Sequence, residues 1–179
     1  MEKLGEEYPI KIFKRPKLKN ASLVIGWNKD VSKLGAKVLN YLDNKLGYQE
    51  FCEIETDNFF PYRGVEVEDD LVQFPEIKFY VSEKNNLLLF KSAPPQYNWY
   101  KFFNLVLDIS EQYAKIKEIY TIGGIISFIT HIEFRELIAV FNSTETKKKF
   151  TNFCLNINTD YKTPPDQRPT LSSFLLWTA

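Results

Sequence analysis

The loop after the apolar run 21–27 is where the residue types of this chain could hold a ligand. It begins with Gly26, Trp27 and Asn28 and leads into a helical pattern. Ligands of α/β folds bind where a central strand ends and a helix begins. A phosphate-binding loop needs a glycine directly before its lysine, but Ser32 precedes Lys33, and the spacing Gly-x-Gly-x-x-Gly is absent. We interpret the loop as a tight turn whose residues are candidates for contact with a ligand or another subunit.

Two further stretches offer candidates of the same kind. Gln96 and Tyr97 follow a double proline at a strand end, where they could line a pocket. Gly123 and Gly124 follow another strand, and paired glycines permit positive φ or a close backbone approach. The glycine pair is either a sharp exit turn or backbone that faces a ligand or a neighbouring subunit.

No catalytic set is recognisable. His131 is the only histidine, and no Gly-x-Ser-x-Gly elbow accompanies it, so we expect a loop or interface role for it. Cys52 and Cys154 lack further ligands at zinc spacing and are predicted to be buried free thiols. The acidic cluster 66–70 lacks the spacing and glycine of a calcium loop. We therefore expect no catalytic residue, no metal and no cofactor.

The net charge of the chain and its local distribution indicate which classes of partner are compatible with it. Lys plus Arg number 23 and Asp plus Glu number 23, whereas nucleic-acid binders usually carry a basic excess. Locally, residues 52–83 hold nine acidic residues against Arg63 and Lys78, and the first twenty residues hold six basic against three acidic. This is either a solvated acidic face with a basic arm or a head-to-tail contact between copies.

Hydropathy argues against a membrane protein. The N-terminus has no apolar signal region, and no apolar run approaches the roughly 18 residues of a membrane span. A cytoplasmic location is expected.

The elements that must position these residues alternate between strand and helix. Strands are predicted at residues 8–13, 21–27, 48–55, 77–81, 87–90, 116–122, 137–141 and 153–157, and helices at 30–46, 98–114, 144–150 and from 171 onward. Asp30 and Asn98 are the expected helix caps. The first strand–helix–strand unit implies a parallel pair. The fold class is thus α/β, a three-layer α/β/α sandwich with a mixed, mostly parallel sheet and a single domain over residues 1–179.

Taken in order, these pieces resemble the proteasome assembly chaperone family over about residues 10–179. The resemblance rests on a pattern of apolar runs and glycines rather than on a catalytic signature. The matching features are the strand 21–27 with its glycine and aromatic, the helix bearing Gly35, the strand 87–90 before Ala-Pro-Pro-Gln at 93–96, the helix 98–114, the strand 119–124 ending in two glycines, and Thr130-His131.

The resemblance implies a phosphorylase-like sandwich, homo- or hetero-oligomers and a role in protein assembly, since eukaryotic members help to build proteasome rings. Prokaryotic relatives are mostly uncharacterised, and some are labelled as ATP-grasp enzymes. Ring-docking members can use a hydrophobic–tyrosine–any-residue tail, which Trp177-Thr178-Ala179 does not match. Members also continue beyond the helix that residues 168–176 resemble, so we expect a prokaryotic member that lacks its C-terminal part.

The sequence therefore favours a non-catalytic, homo-oligomeric protein-interaction or assembly-chaperone-like protein with a possible protein partner. The alternative is a small-molecule protein or enzyme that binds a nucleoside or phosphate, including an ATP-grasp-type ligase.

Overall fold

A six-stranded mixed sheet with a helix on each face organises the first part of the chain. The computed structural model describes residues 9–31, 33–61, 66–125, 132, 134, 136–157 and 159–179. It divides into two compact units, Met1–Ile125 and Ile126–Ala179. The single-domain organisation expected over residues 1–179 stays a prediction.

The elements include the predicted strands and helices and add two short strands within residues 66–73. The first unit contains, in chain order, β1 (Ile10–Ile12), β2 (Ser22–Trp27), α1 (Leu34–Leu46), β3 (Gln49–Ile54), β4 (Glu66–Glu68), β5 (Leu71–Gln73), β6 (Ile77–Ser82), β7 (Leu87–Ser92), α2 (Trp99–Ala114) and β8 (Glu118–Ile122). The second contains β9 (Leu137–Ile138), α3 (Thr144–Lys149), β10 (Leu155–Asn156) and α4 (Leu171–Thr178).

The strand order of the sheet is β1-β3-β6-β7-β2-β8, and it corrects two predictions. First, β2 pairs in parallel with β7 and β8, not with β3. Second, the pairs β1–β3, β3–β6 and β6–β7 are antiparallel, so the sheet is mixed but not mostly parallel. The physical reason is the short turn at Glu83–Asn85, because so short a connection joins only antiparallel strands. This β6–β7 hairpin lies between β3 and β2.

The two faces of the sheet are covered by different helices. Val24 and Leu89 form a buried cluster with Leu39 of α1, and Leu42, Tyr48, Tyr80 and Ile122 pack against it. On the other face Trp27 and Phe90 contact Phe102 of α2. Alternating β2 residues thus serve opposite layers, as the pleat of a strand requires.

Helix α1 packs through a glycine, and its buried face differs from the predicted one. Apolar residues recur at three- and four-residue steps from residue 31 to residue 46, and this spacing predicts a buried face that includes Val31, Leu34 and Tyr41. These three side chains are exposed instead. The buried residues are Gly35 and Leu39. A Cβ at Gly35 would lie 2.7 Å from the backbone N of Trp27, so the helix backbone lies directly on β2. That close approach turns Leu39 rather than Leu34 toward the sheet.

The predicted caps are only partly correct. Lys33, not Asp30, occupies the N-cap position of α1, in a left-handed conformation. Asn98 is the N-cap of α2, but its side chain donates to the carbonyl of Asn58 (3.0 Å) instead of accepting from the helix. Gly47 ends α1 with φ 64°, the left-handed stop that its sequence position predicts.

The second unit is smaller and largely irregular. Its β9 and β10 pair in parallel over two residues each. Ser143 caps α3 by accepting from the N–H of Thr146, and Thr170 caps α4 by accepting from the N–H of Ser173 (3.1 Å each). None of the helices in the described ranges combines the length and the hydropathy that crossing a bilayer requires.

The two cysteines are free, as predicted, but only one of them is buried. Cys52 lies inside β3 with no exposed surface, whereas Cys154 is exposed, which corrects the prediction of two buried thiols. Burial, together with the nearby carboxylates of Glu53 and Glu50, raises the pKa of the Cys52 thiol to about 12. Since the thiolate is the reactive form, the two cysteines should differ sharply in reactivity.

We expect iodoacetamide to alkylate Cys154 in the folded protein and to leave Cys52 unmodified until the protein is unfolded. Raising the pH above the ordinary thiol pKa of about 8.5 should still leave Cys52 unlabelled, because its raised pKa keeps the thiol protonated. Peptide mass spectrometry with and without denaturant measures both sites. Equal labelling of the two cysteines in the folded protein would contradict this picture.

Substitution of Gly35 by Ala should destabilise the protein by about 1–3 kcal/mol, because the new Cβ would press on the backbone of Trp27. At an exposed helix position the same change would stabilise, since Ala has the higher helix propensity. Denaturant unfolding compares Gly35→Ala with Gly123→Ala. A Cβ at Gly123 meets no atom within 4 Å, so this control should stay within about 0.5 kcal/mol of wild type. Equal stability of the two variants would rule out the tight contact.

Candidate functional site

The candidate site lies at the carboxyl ends of β2 and β7, which are adjacent and parallel. β2 leads to α1 on one face of the sheet, and β7 leads to α2 on the other. The strand ends at which two connections diverge in this way are the place where open α/β sheets bind ligands. Sequence reasoning had pointed to this edge.

Gly26 and Trp27 are the last two residues of β2, and both are used for packing. A Cβ at Gly26 would lie 2.8 Å from the carbonyl oxygen of Gly35 and equally close to Leu39. Trp27 is 3% exposed and meets the ring of Phe103 edge-to-face, with centroids 6.0 Å apart. Its indole Nε1 is buried and has no hydrogen-bond partner among the described residues.

Asn28 links the two diverging loops at their origin. Its backbone N–H donates to the carbonyl of Ser92, the last residue of β7, at 2.9 Å. Its side-chain Oδ1 is buried and, within the described ranges, accepts no hydrogen bond. A buried acceptor without a partner is uncommon, because losing its hydration costs about 1–3 kcal/mol.

Asp30 is the residue that sequence reasoning missed as part of the site. Its Oδ2 accepts from the N–H of Gly35 (3.1 Å), near the start of α1, and from the N–H of Gly124 (3.0 Å), after β8. One carboxylate oxygen therefore ties the β2–α1 loop to the end of another strand. The other oxygen, Oδ1, is buried with no partner in the described part of the chain. An acidic residue between a central strand and a helix is the signal that could have identified it, since helix N-termini attract anions.

The other predicted site residues do not all converge here. The backbone N–H groups of Gln96 and Tyr97 donate to the carbonyl of Phe59 (3.0 and 3.3 Å), so their loop is tied to residues 56–60 instead. Gly124 joins the site through Asp30. Gly123 is exposed, and Gly47 is the one described glycine with positive φ, so neither member of the pair needs that conformation. His131 lies outside the described residues.

The chemistry available at this edge is that of hydrogen bonding. Trp27 Nε1 is a donor, whereas Asn28 Oδ1 and Asp30 Oδ1 are acceptors. The described residues contain no group of three or more His, Cys, Asp or Glu side chains placed to hold a metal ion. A group that reached either oxygen would have to present an N–H or a positive charge to it.

Comparison with known proteins identifies a family and several solved structures of similar fold. The model of the PAC2 family matches residues 23–169. A search of curated proteins gives no match. Among solved structures, a Mycobacterium tuberculosis protein of unknown function aligns with a TM-score of 0.72 and 16% identity over 94% of this chain and 62% of its own.

Two proteins from Pyrococcus furiosus align over the same share of this chain. PbaA, described as an archaeal homolog of proteasome-assembly chaperone, has a TM-score of 0.65 and 17% identity, with 70% of its chain covered. PbaB, described as an archaeal proteasome activator, has a TM-score of 0.67 and 18% identity, with 72% covered. At these identities the likeness shows the fold. The chain spans less than two thirds of the length of the first of these three structures and about 70% of the other two.

Replacing Asp30 by Ala should lower the free energy of unfolding by about 1–3 kcal/mol, because two backbone N–H groups lose their acceptor. Asp30→Asn keeps an acceptor oxygen and should lose less. Hydrogen exchange supplies the site-specific measurement: the amides of Gly35 and Gly124, though far apart in sequence, should lose protection together in Asp30→Ala. Unchanged exchange at Gly124 would show that the carboxylate does not hold this strand end.

Proposed function

We propose that this chain, which belongs to the PAC2 family, is a non-catalytic protein that works by binding protein subunits, in the manner of an assembly chaperone. PbaA is described as an archaeal homolog of proteasome-assembly chaperone, and PbaB as an archaeal proteasome activator. From those proteins we extend to this chain only the class of activity, protein–protein association. Homo-oligomer formation, a cytoplasmic location and a phosphorylase-like sandwich are parts of the same proposal.

The observation that carries the proposal is apolar surface left uncovered on the first unit. Val67 and Val72 pair across the β4–β5 hairpin, and Phe74 directly follows β5. All three side chains are more than half exposed. Phe13, beyond the edge strand β1, is also 59% exposed. Clustered exposed apolar side chains with charged neighbours are typical of protein-binding surfaces.

A second candidate function is the binding of a small molecule at the edge formed by Trp27, Asn28 and Asp30. Their three buried polar atoms without partners among the described residues favour it. Asp30 restricts the class of ligand that can bind here. A phosphate at the start of α1 would use backbone N–H donors such as that of Gly35, and the Asp30 carboxylate already accepts this N–H. A phosphate would meet a negative charge there, so nucleotides and an ATP-grasp reaction fit this edge poorly. A ligand with amino or guanidino groups fits it better.

Size-exclusion chromatography with light scattering, over a wide range of protein concentration, tests the main proposal, and we expect an oligomer whose population grows with concentration. A strict monomer at the highest concentration would argue strongly against it.

Thermal shift with nucleotides, phosphate and amines tests the second candidate. A saturable rise in Tm with an amine, lost in Asn28→Ala, would favour small-molecule binding, whereas a rise with phosphate would refute the role given to Asp30.

A further inference from the structure

We propose that the acidic hairpin of one copy docks against the basic segment of a second copy in a head-to-tail contact. The acidic hairpin is residues 66–74, and the basic segment is residues 11–19. This inference rests on the proposed oligomeric function and names the surface and the partner through which it works.

The acidic hairpin is a two-stranded sheet separate from the six-stranded one. Asp69 and Asp70 form its turn with φ of 50° and 63°, the left-handed pair of a tight hairpin. Val67 pairs with Val72 across the strands, and these side chains are 71% and 56% exposed. An isolated two-stranded hairpin is at best marginally stable in water. Covering this apolar pair would therefore stabilise the hairpin itself.

The charges of the two surfaces are opposite. Residues 66–74 contain four acidic residues and no basic one, while residues 11–19 contain five basic residues and no acidic one. Lys11 and Lys14 pair with Glu55 and Glu83 within the chain. The remaining basic side chains have no ion-pair partner in the described part of the chain: Arg15, Lys17 and Lys19. The basic segment also exposes apolar surface at Ile12 and Phe13 (39% and 59%).

Most of the basic segment, residues 14–19, lies at the end of the strands opposite to the acidic hairpin. The acidic hairpin leaves the sheet between the end of β3 at Ile54 and the start of β6 at Ile77. Residues 14–19 of the basic segment are held at the other end, where Lys14 Nζ donates to Gln49 Oε1 (2.8 Å) and Asn86 Nδ2 donates to the carbonyl of Lys19 (2.9 Å). Lys11, by contrast, lies in β1 opposite Glu53 and forms its ion pair with Glu55 at the hairpin end. A six-residue strand spans ~20 Å. This separation favours contact between copies over contact within one.

A contact between two different surfaces of the same chain is heterologous, so it generates a ring if the rotation closes. The electrostatic attraction orients the copies, and the exposed apolar side chains supply surface to bury. Because the charges are exposed, the contact should weaken as salt is added.

Two variants test the contact from its two sides. Asp69→Asn with Asp70→Gly removes both turn charges while keeping the residue pair that the left-handed turn prefers, so the hairpin itself is preserved. Lys17→Glu with Lys19→Glu reverses charge on the basic segment. The matched control is Lys148→Glu with Lys149→Glu, which makes the same charge change at exposed positions of α3.

Sedimentation or light scattering at low and high salt gives the dissociation constant of each oligomer. We expect both test variants to raise the dissociation constant about tenfold or more, because a few exposed charge pairs are lost. The control should leave it unchanged, and added salt should weaken wild type more than the test variants. Zero-length cross-linking of mixed isotopically light and heavy copies should join a hairpin carboxylate of one copy to Lys17 or Lys19 of the other.

The outcomes separate this contact from the proposed function. An oligomeric wild type whose test variants associate equally well would overturn the contact and leave the proposed function standing. Weakening by the hairpin variant alone would refute the basic segment as the docking surface. A wild type that is monomeric at every concentration would remove both proposals.

Discussion

The close approach of α1 to β2 is the constraint on which the rest of the first unit depends. Gly26 and Gly35 lie where the two backbones nearly touch. A Cβ on Gly26 would lie 2.8 Å from the carbonyl oxygen of Gly35, and a Cβ on Gly35 would lie 2.7 Å from the backbone N of Trp27. The absence of two side chains lets the helix start directly over the strand end. That position brings the N–H of Gly35 to the carboxylate of Asp30 and turns Leu39 into the sheet.

The side chain of Asp30 connects the start of α1 to a distant segment of the chain. Because its Oδ2 also accepts from Gly124, the end of β8 is held to the start of α1 although the two lie far apart in the chain. The same carboxylate places a negative charge at a helix N-terminus, where many α/β proteins receive an anion. At the edge proposed for small-molecule binding, the Asp30 carboxylate therefore favours hydrogen-bond donors and cations over phosphate.

Local pattern predicted the elements of this fold better than their arrangement. The apolar run 21–27, the strands 77–81 and 87–90 and the two long helices are confirmed, because each depends on a periodicity that neighbours in sequence supply. The resemblance to the proteasome assembly chaperone family is confirmed by the PAC2 match. The neighbour of β2 was predicted wrongly, since strand pairing depends on long-range contacts. Similarly, the sequence near Gln96 gives no sign that its backbone N–H donates to the carbonyl of Phe59.

The candidate ligand edge and the proposed docking surface share one end of the sheet. The acidic hairpin joins β6 at Ile77, which pairs with Ser92, and the carbonyl of Ser92 accepts the N–H of Asn28. A single pair of strands thus separates the base of the hairpin from the buried polar atoms of Asn28 and Asp30. Anchoring the hairpin on a second copy would restrain the start of β6 and, through Ser92, the loop that carries those atoms.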